Sequence, residues 1–161
     1  MRHNVRKSDV KHQSIFNRKQ AISVSVIRVF IYGSLLPGQS NHHVVSNYVR
    51  SYMPGVVAGR LVDVGPYPAA VRDHAAKDGQ ASIRGQWITV DRQGLAAMDM
   101  LEDFYGIEES NEYDRIWVSD LESRGLAGWV YVWDTDRGCP AIPDRYWPDY
   151  AGVRADKHRN I

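Results

Sequence analysis

The sequence predicts an α+β domain: a small, curled or barrel-like mixed β-sheet carrying two main helices. Three observations lead there. Segments rich in β-branched and aromatic residues recur between Gly and Pro turn signals. These strand-like segments outnumber the helical ones and do not alternate regularly with them, which argues against a doubly wound parallel sheet. Finally, 161 residues with 43% hydrophobic content suffice for one core without disulfides or metals.

The elements follow in order. Ala21 to Tyr32 (AISVSVIRVFIY) is a buried strand that ends at Gly33. Pro37-Gly38 closes the turn, and Ser40 is placed to cap a helix reaching Tyr52, with Val44, Val45, Tyr48, Val49 and Tyr52 at helical spacing. Pro54-Gly55 breaks that helix. Val56 to Val64 is a strand in which Gly59 marks a bulge or a close approach. Gly65-Pro66-Tyr67-Pro68 forms a rigid loop, because each proline fixes φ and biases its predecessor to extended backbone.

A short strand at Ala69–Arg72 and a polar loop around Lys77-Asp78-Gly79 come next, then a strand from Ser82 to Val90. Asp91 is the natural N-cap of a second helix extending to Tyr105. Tyr113–Ser119 and Gly128–Trp133 are strands, and the segment from Cys139 reads as an irregular tail over the sheet. Trp87, Trp117, Trp129 and Trp133 recur at strand spacing, which places them in the core.

Charge and cysteine usage exclude several classes. A net charge of +1 generates no field suited to nucleic acid, and no apolar run approaches the ~18 residues of a membrane span. Arg2, Arg6, Lys7, Lys11, Arg18 and Lys19 face a single acid, Asp9, within the first twenty positions. The reading is a basic tail over residues 1–20 followed by one domain over 21–161. A lone cysteine, Cys139, fits a reducing, cytoplasmic setting and has no evident histidine and acid partner for nucleophilic catalysis. The adjacent His42 and His43 point to different sides of a helix, so surface or capping roles are expected, and no metal is implied.

Two features carry chemistry. On the second helix, with Leu95 at 0°, Met98, Leu101 and Tyr105 fall near about 300°, 240° and 280°, an apolar stripe. Glu102 falls near about 340°, inside that face, whereas Asp99 and Asp103 lie outside it. Burial raises a carboxyl pKa toward the range a general base needs at neutral pH. Periodicity leaves two other roles open: Glu102 at the stripe's edge reaching water, or Glu102 paired with a core arginine such as Arg115. The second feature is VFIYGSLLPG (29–38), a strand ending in a glycine turn. Successive N–H groups there can point at a ligand oxygen, and Gly33 lets it approach the backbone.

These residues resemble a known family. VFIYGSLLPG is similar to the opening motif of the γ-glutamylcyclotransferase-like (AIG2-like) proteins. Ser40–His43 (SNHH), Gly65–Ala69 (GPYPA), Ile83–Trp87 (IRGQW), Met98–Glu102 (MDMLE), Tyr113–Arg115 (YDR) and Gly128–Trp133 (GWVYVW) resemble the motifs that follow, in order. The resemblance spans about residues 27–133 and implies the γ-glutamylcyclotransferase-like fold and an enzyme with no cofactor or metal. It also implies a small-molecule γ-glutamyl partner, a γ-glutamylamine or related conjugate, from which 5-oxoproline is released. By the same resemblance Glu102 is the general base, and the backbone of Tyr32, Gly33, Ser34 and Leu35 holds the substrate's carboxylate or carbonyl oxygens. Tyr67 and Tyr113 are candidates to line the pocket, packing being the alternative.

The chain departs from the family where Asp103 and Phe104 follow Glu102 instead of a glycine, which suggests a longer helix. Glutathione-specific cyclotransferases share Tyr-Gly-Ser-Leu but differ around LLPGQSNHH and MDMLE. A non-catalytic binding module of the same fold is the reading from another class.

Overall fold

A computed structural model of the chain describes residues 25–77 and 81–159. The expected basic tail, the start of the first strand and Asp78–Gly79 lie outside these residues.

A five-stranded sheet forms the body, with β1 (Ile27–Ile31), β2 (Ser51–Ala58), β5 (Ser82–Val90), β6 (Asp114–Ser119) and β7 (Ala127–Val132) in the order β2-β5-β1-β7-β6. β1 is central, antiparallel to β5 and parallel to β7, with Val29 opposite Trp129. Its second half, Val29–Ile31, is buried on both faces and apolar throughout, as strands covered on two sides are. A second, two-stranded sheet pairs β3 (Arg60–Asp63) with β4 (Pro68–Val71). The combination is mixed α+β, as the sequence predicts.

Gly59 separates β2 from β3. The single strand expected over Val56–Val64 is two strands in different sheets, joined where Gly59 adopts φ +153°. A Cβ there would lie 2.8 Å from Ile83 Cδ1, so only glycine fits both the conformation and the space.

The helices differ most from expectation. α1 is one turn, His42–Val45, and Asn41 rather than Ser40 precedes it, without a side-chain cap. Residues predicted to continue this helix instead enter β2, where Pro54 pairs opposite Gln86. Proline is tolerated because β2 is an edge strand and the missing N–H is not needed on its open side. α2 (His74–Lys77) occupies part of the predicted polar loop. The segment from Cys139 is irregular as far as Tyr146, and α4 (Trp147–Arg159) follows it where an irregular tail was expected. Its polar composition gives no helical stripe; it is held by Trp147 Nε1 donating to Gln39 Oε1 at 3.2 Å and by Tyr150 and Arg154, which both reach the Asp63 carboxylate. Trp87 and Trp133 are core residues, but Trp117 lies 58% exposed on the edge strand β6.

α3 (Arg92–Leu101) starts as predicted, with the Asp91 carboxylate accepting from the Gly94 N–H at 2.9 Å. It ends earlier than Tyr105. Asp103 turns left-handed at φ +49°, and the Phe104 N–H donates back to the Asp99 carbonyl at 2.9 Å, the 6→1 bond of a Schellman cap. Phe104 thereby turns into the core, and Tyr105, past the end, is exposed.

Candidate active site

The stop of α3 determines where Glu102 sits. It is the helix C-cap, with φ −89°, and its N–H donates to the Met98 carbonyl at 2.9 Å. Its carbonyl in turn accepts from the Tyr113 N–H at 3.2 Å, and the Glu112 N–H donates to the Asp103 carbonyl at 3.2 Å. The turn after the helix is thus sewn to the segment entering β6.

Opposite lies the turn after β1. Leu36 N–H closes it onto the Gly33 carbonyl at 3.0 Å, and Asn41 binds Ser34 twice: backbone to backbone at 2.9 Å, and side chain to Oγ at 3.1 Å. His42 Nδ1 lies 2.8 Å from the Leu35 carbonyl, so it braces the turn. The N–H groups of Gly33, Ser34 and Leu35 donate to no acceptor among the described residues. Gly33 packs against Pro68 so closely that a Cβ would come 2.8 Å from the proline Cγ.

Both turns line one cavity of about 160 Å³. Tyr32, Gly33, Ser34, Leu35, Tyr67, Glu102 and Tyr113, the candidates named from sequence, all contribute to its wall. Tyr67 stands at the more exposed rim, whereas Tyr32 and Tyr113 are buried. Three further groups complete the wall. Asn41 lies in the SNHH segment, where nothing in the spacing marks it as a wall residue. Tyr131 lies on β7, whose alternation signals only packing. Pro68, part of the quoted GPYPA segment, forms the wall beside Gly33.

Hydrogen bonds fix the tyrosines. Tyr32 Oη donates to the Tyr131 carbonyl at 2.9 Å and accepts from the Ala70 N–H at 3.1 Å, so it ties β1, β7 and β4 together. Burial pushes the Tyr32, Tyr113 and Tyr131 hydroxyls far above the ordinary tyrosine range, and they stay protonated donors.

Burial, with a smaller push from the adjacent Asp103 charge, raises the pKa of Glu102 to about 7. The carbonyl end of a helix carries partial negative charge and disfavours a carboxylate in the same sense. Among the described residues no donor reaches its carboxyl oxygens. Arg115, one of the partners considered for it, instead contacts Asp99, at 2.5 and 2.6 Å. A carboxyl group that is unpaired, inside a cavity and poised near neutrality has the attributes of a general base.

The family model for "Gamma-glutamyl cyclotransferase, AIG2-like" matches residues 29–149. The chain belongs to that family. Among curated AIG2-like relatives, the gamma-L-glutamyl-butirosin B gamma-glutamyl cyclotransferase of Niallia circulans is 32% identical over 111 residues, covering 67% of each chain. A putative gamma-glutamylcyclotransferase of Vibrio cholerae is 31% identical, covering 65% of this chain and 80% of its own. In fold, this AIG2-like chain is similar to the crystal structure of YkqA from Bacillus subtilis, with a TM-score of 0.61 at 15% identity. That match covers 82% of this chain and 43% of YkqA. No described helix is long and apolar enough to cross a membrane.

Proposed function

We propose that the protein releases 5-oxoproline from a γ-glutamylamine or related γ-glutamyl conjugate. The observation that carries this reading is the unpaired, buried Glu102 carboxyl group sharing one cavity with the free N–H groups of Gly33, Ser34 and Leu35.

The mechanism follows from that pairing. The substrate's α-carboxylate or γ-carbonyl oxygen accepts from the turn's N–H groups, which need no reorientation to meet it. The neutral α-amino nitrogen attacks the γ-carbonyl carbon through its lone pair while ionised Glu102 takes one of its two protons, leaving the ring nitrogen with one. The new C–N bond closes a five-membered ring. As the tetrahedral centre collapses, the γ C–N bond breaks, and the departing nitrogen takes the proton that Glu102 had accepted. The products are 5-oxoproline and a free amine, and Glu102 returns to its ionised form.

Because nucleophile and electrophile belong to one molecule, holding the glutamyl chain folded supplies much of the rate, up to several kcal/mol. The cavity is smaller than the roughly 300–1,000 Å³ of sites for drug-sized ligands. It suits a glutamyl group, with the leaving amine projecting past Tyr67. The protein acts without cofactor or metal, within a single domain of the cytoplasm.

The test is to incubate the protein with a panel of γ-glutamyl amines, γ-glutamyl amino acids and glutathione, and to measure 5-oxoproline by mass spectrometry. Product from at least one donor, absent with Glu102→Gln, supports the mechanism. Binding of donors without turnover would instead identify a binding module of the same fold.

A further inference from the structure

One part-buried ionic cluster, which adjoins the cavity through Tyr131, has no role in the mechanism above. The Asp99 carboxylate, one turn before Glu102 on α3, accepts from Arg115 Nη1 on β6 and from Tyr131 Oη on β7, the latter at 2.5 Å. The Arg115 guanidinium lies between two rings, 4.6 Å from the Phe104 centroid and 5.1 Å from that of Trp129. Its Nε is buried without a partner among the described residues. Replacing such a cluster by apolar side chains often leaves stability unchanged or improves it, so stability alone gives a weak reason for its presence.

Connectivity gives a better one. Phe104, over which the guanidinium sits, donates its N–H to Asp99, and these two residues bracket the Glu102 turn. Tyr131 binds Asp99 through its hydroxyl and accepts from Tyr32 through its carbonyl at 2.9 Å. One short chain of contacts therefore runs from the helix end that bears Glu102 to the strand that presents the Tyr32–Leu35 turn. We infer that Arg115 is a positioning residue: with Asp99 and Tyr131 it sets the distance between Glu102 and the substrate-holding turn and keeps water from the Glu102 carboxyl group.

This inference rests on Glu102 being the base, but it can be tested without turnover. The full chain carrying Asp99→Ala with Arg115→Met loses the pair at constant net charge. The titration of Glu102 is followed by carbon NMR of labelled glutamate side chains. Among the described residues, the other ionisable groups lining the cavity with Glu102 are Tyr32, Tyr67, Asp103, Glu112, Tyr113 and Tyr131, and all are retained in this variant. Burial should hold the Glu102 titration of the wild type at about 7. With the turn loosened and water admitted, it should fall toward the ordinary value of 4.5. An unchanged or raised pKa in the folded double variant overturns the inference.

Should that variant not fold, Arg115→Met alone and Arg115→Lys are measured against Arg154→Met, which breaks the remote pair with Asp63. On the best donor found, Arg115→Met should lower kcat by about tenfold or more at nearly constant KM, since small misplacements of reacting groups can cost up to about 100-fold. Arg115→Lys should recover part of that loss, and Arg154→Met should leave kcat unaffected. Equal kcat losses in the Arg115→Met and Arg154→Met proteins would reduce the cluster to a structural role. A wild type inactive on every donor would count against the proposed function, leaving the NMR result to decide this inference.

Discussion

The backbone of Glu102 is tied to that of Tyr113: the Tyr113 N–H donates to the Glu102 carbonyl at 3.2 Å. The proposed base and the tyrosine beside it in the cavity wall therefore move as one unit. This bond makes the chemistry of Glu102 separable from its placement, since side-chain replacement leaves it intact.

Glu102→Gln should abolish 5-oxoproline release, lowering kcat by about 10²–10⁴ as loss of a general base does. Substrate affinity should change little, because the turn's N–H groups are untouched. Calorimetric binding of a slowly turned-over γ-glutamyl analogue, beside the rate assay, checks both halves.

The pH dependence follows from the raised pKa. Glu102 must be ionised to act, so kcat/KM should climb with pH through an acid limb at about 7 and fall away below it. Stability should run the other way. A carboxyl whose folded pKa exceeds its unfolded value of 4.5 favours the protonated native state. That advantage is complete below about 4.5 and is lost as pH rises through about 7, at a cost on the order of 3 kcal/mol. Urea melts from pH 4.5 to 8 should show this slope in wild type and a flatter profile in Glu102→Gln.

Asp103→Gly changes both the charge beside the base and a left-handed residue. Removing the Asp103 charge lowers the Glu102 pKa, so the acid limb should move to lower pH. Relief at φ +49° and the added chain entropy of glycine nearly cancel, keeping stability within about 1 kcal/mol. Rate profiles and thermal melts of this variant test the two statements separately.

Gly33→Ala places a methyl 2.8 Å from Pro68 Cγ and 3.0 Å from Cδ, against a ring that cannot rotate away. The expected outcome is a KM raised by about tenfold or more with the fold retained, as backbone donors and cavity wall are pushed apart. Normal KM values for this variant would argue against the turn as the substrate's anchor.

Tyr32→Phe removes a hydroxyl that donates to Tyr131 and accepts from Ala70. Both backbone groups are buried and would lose their partner, so thermal unfolding should show about 1–3 kcal/mol of destabilisation.

Much of this was legible in the sequence because local signals and tertiary contacts agree. β5 matches its predicted bounds, and Asp91 caps α3 as a short polar side chain before an apolar-periodic run should. Helical phase places Glu102 against the apolar face even though the helix stops one residue earlier, since its N–H still donates to the Met98 carbonyl four residues back. The misses share a cause. α1 is cut short because its predicted continuation pairs with β5, a contact no local pattern reveals. α4 has no apolar stripe, and its anchors on Asp63 and Gln39 are about 90 and 108 positions away in sequence. Helical phase leaves Glu102 open as a partner of Arg115, but the guanidinium pairs with Asp99 one turn earlier on α3, a tertiary contact that periodicity does not reveal.

The parallel pairing of β1 with β7 brings residue 29 beside residue 129. Such a contact forms only after a hundred intervening residues have been gathered, and the entropy of closing that loop is lost before the pairing repays it. The substrate-holding turn hangs from the end of β1, and Tyr32 is fixed by the Tyr131 carbonyl. A cavity whose wall spans both ends of that pairing is completed only when β7 is in place, so its two halves are coupled through the longest-range strand pairing of the sheet.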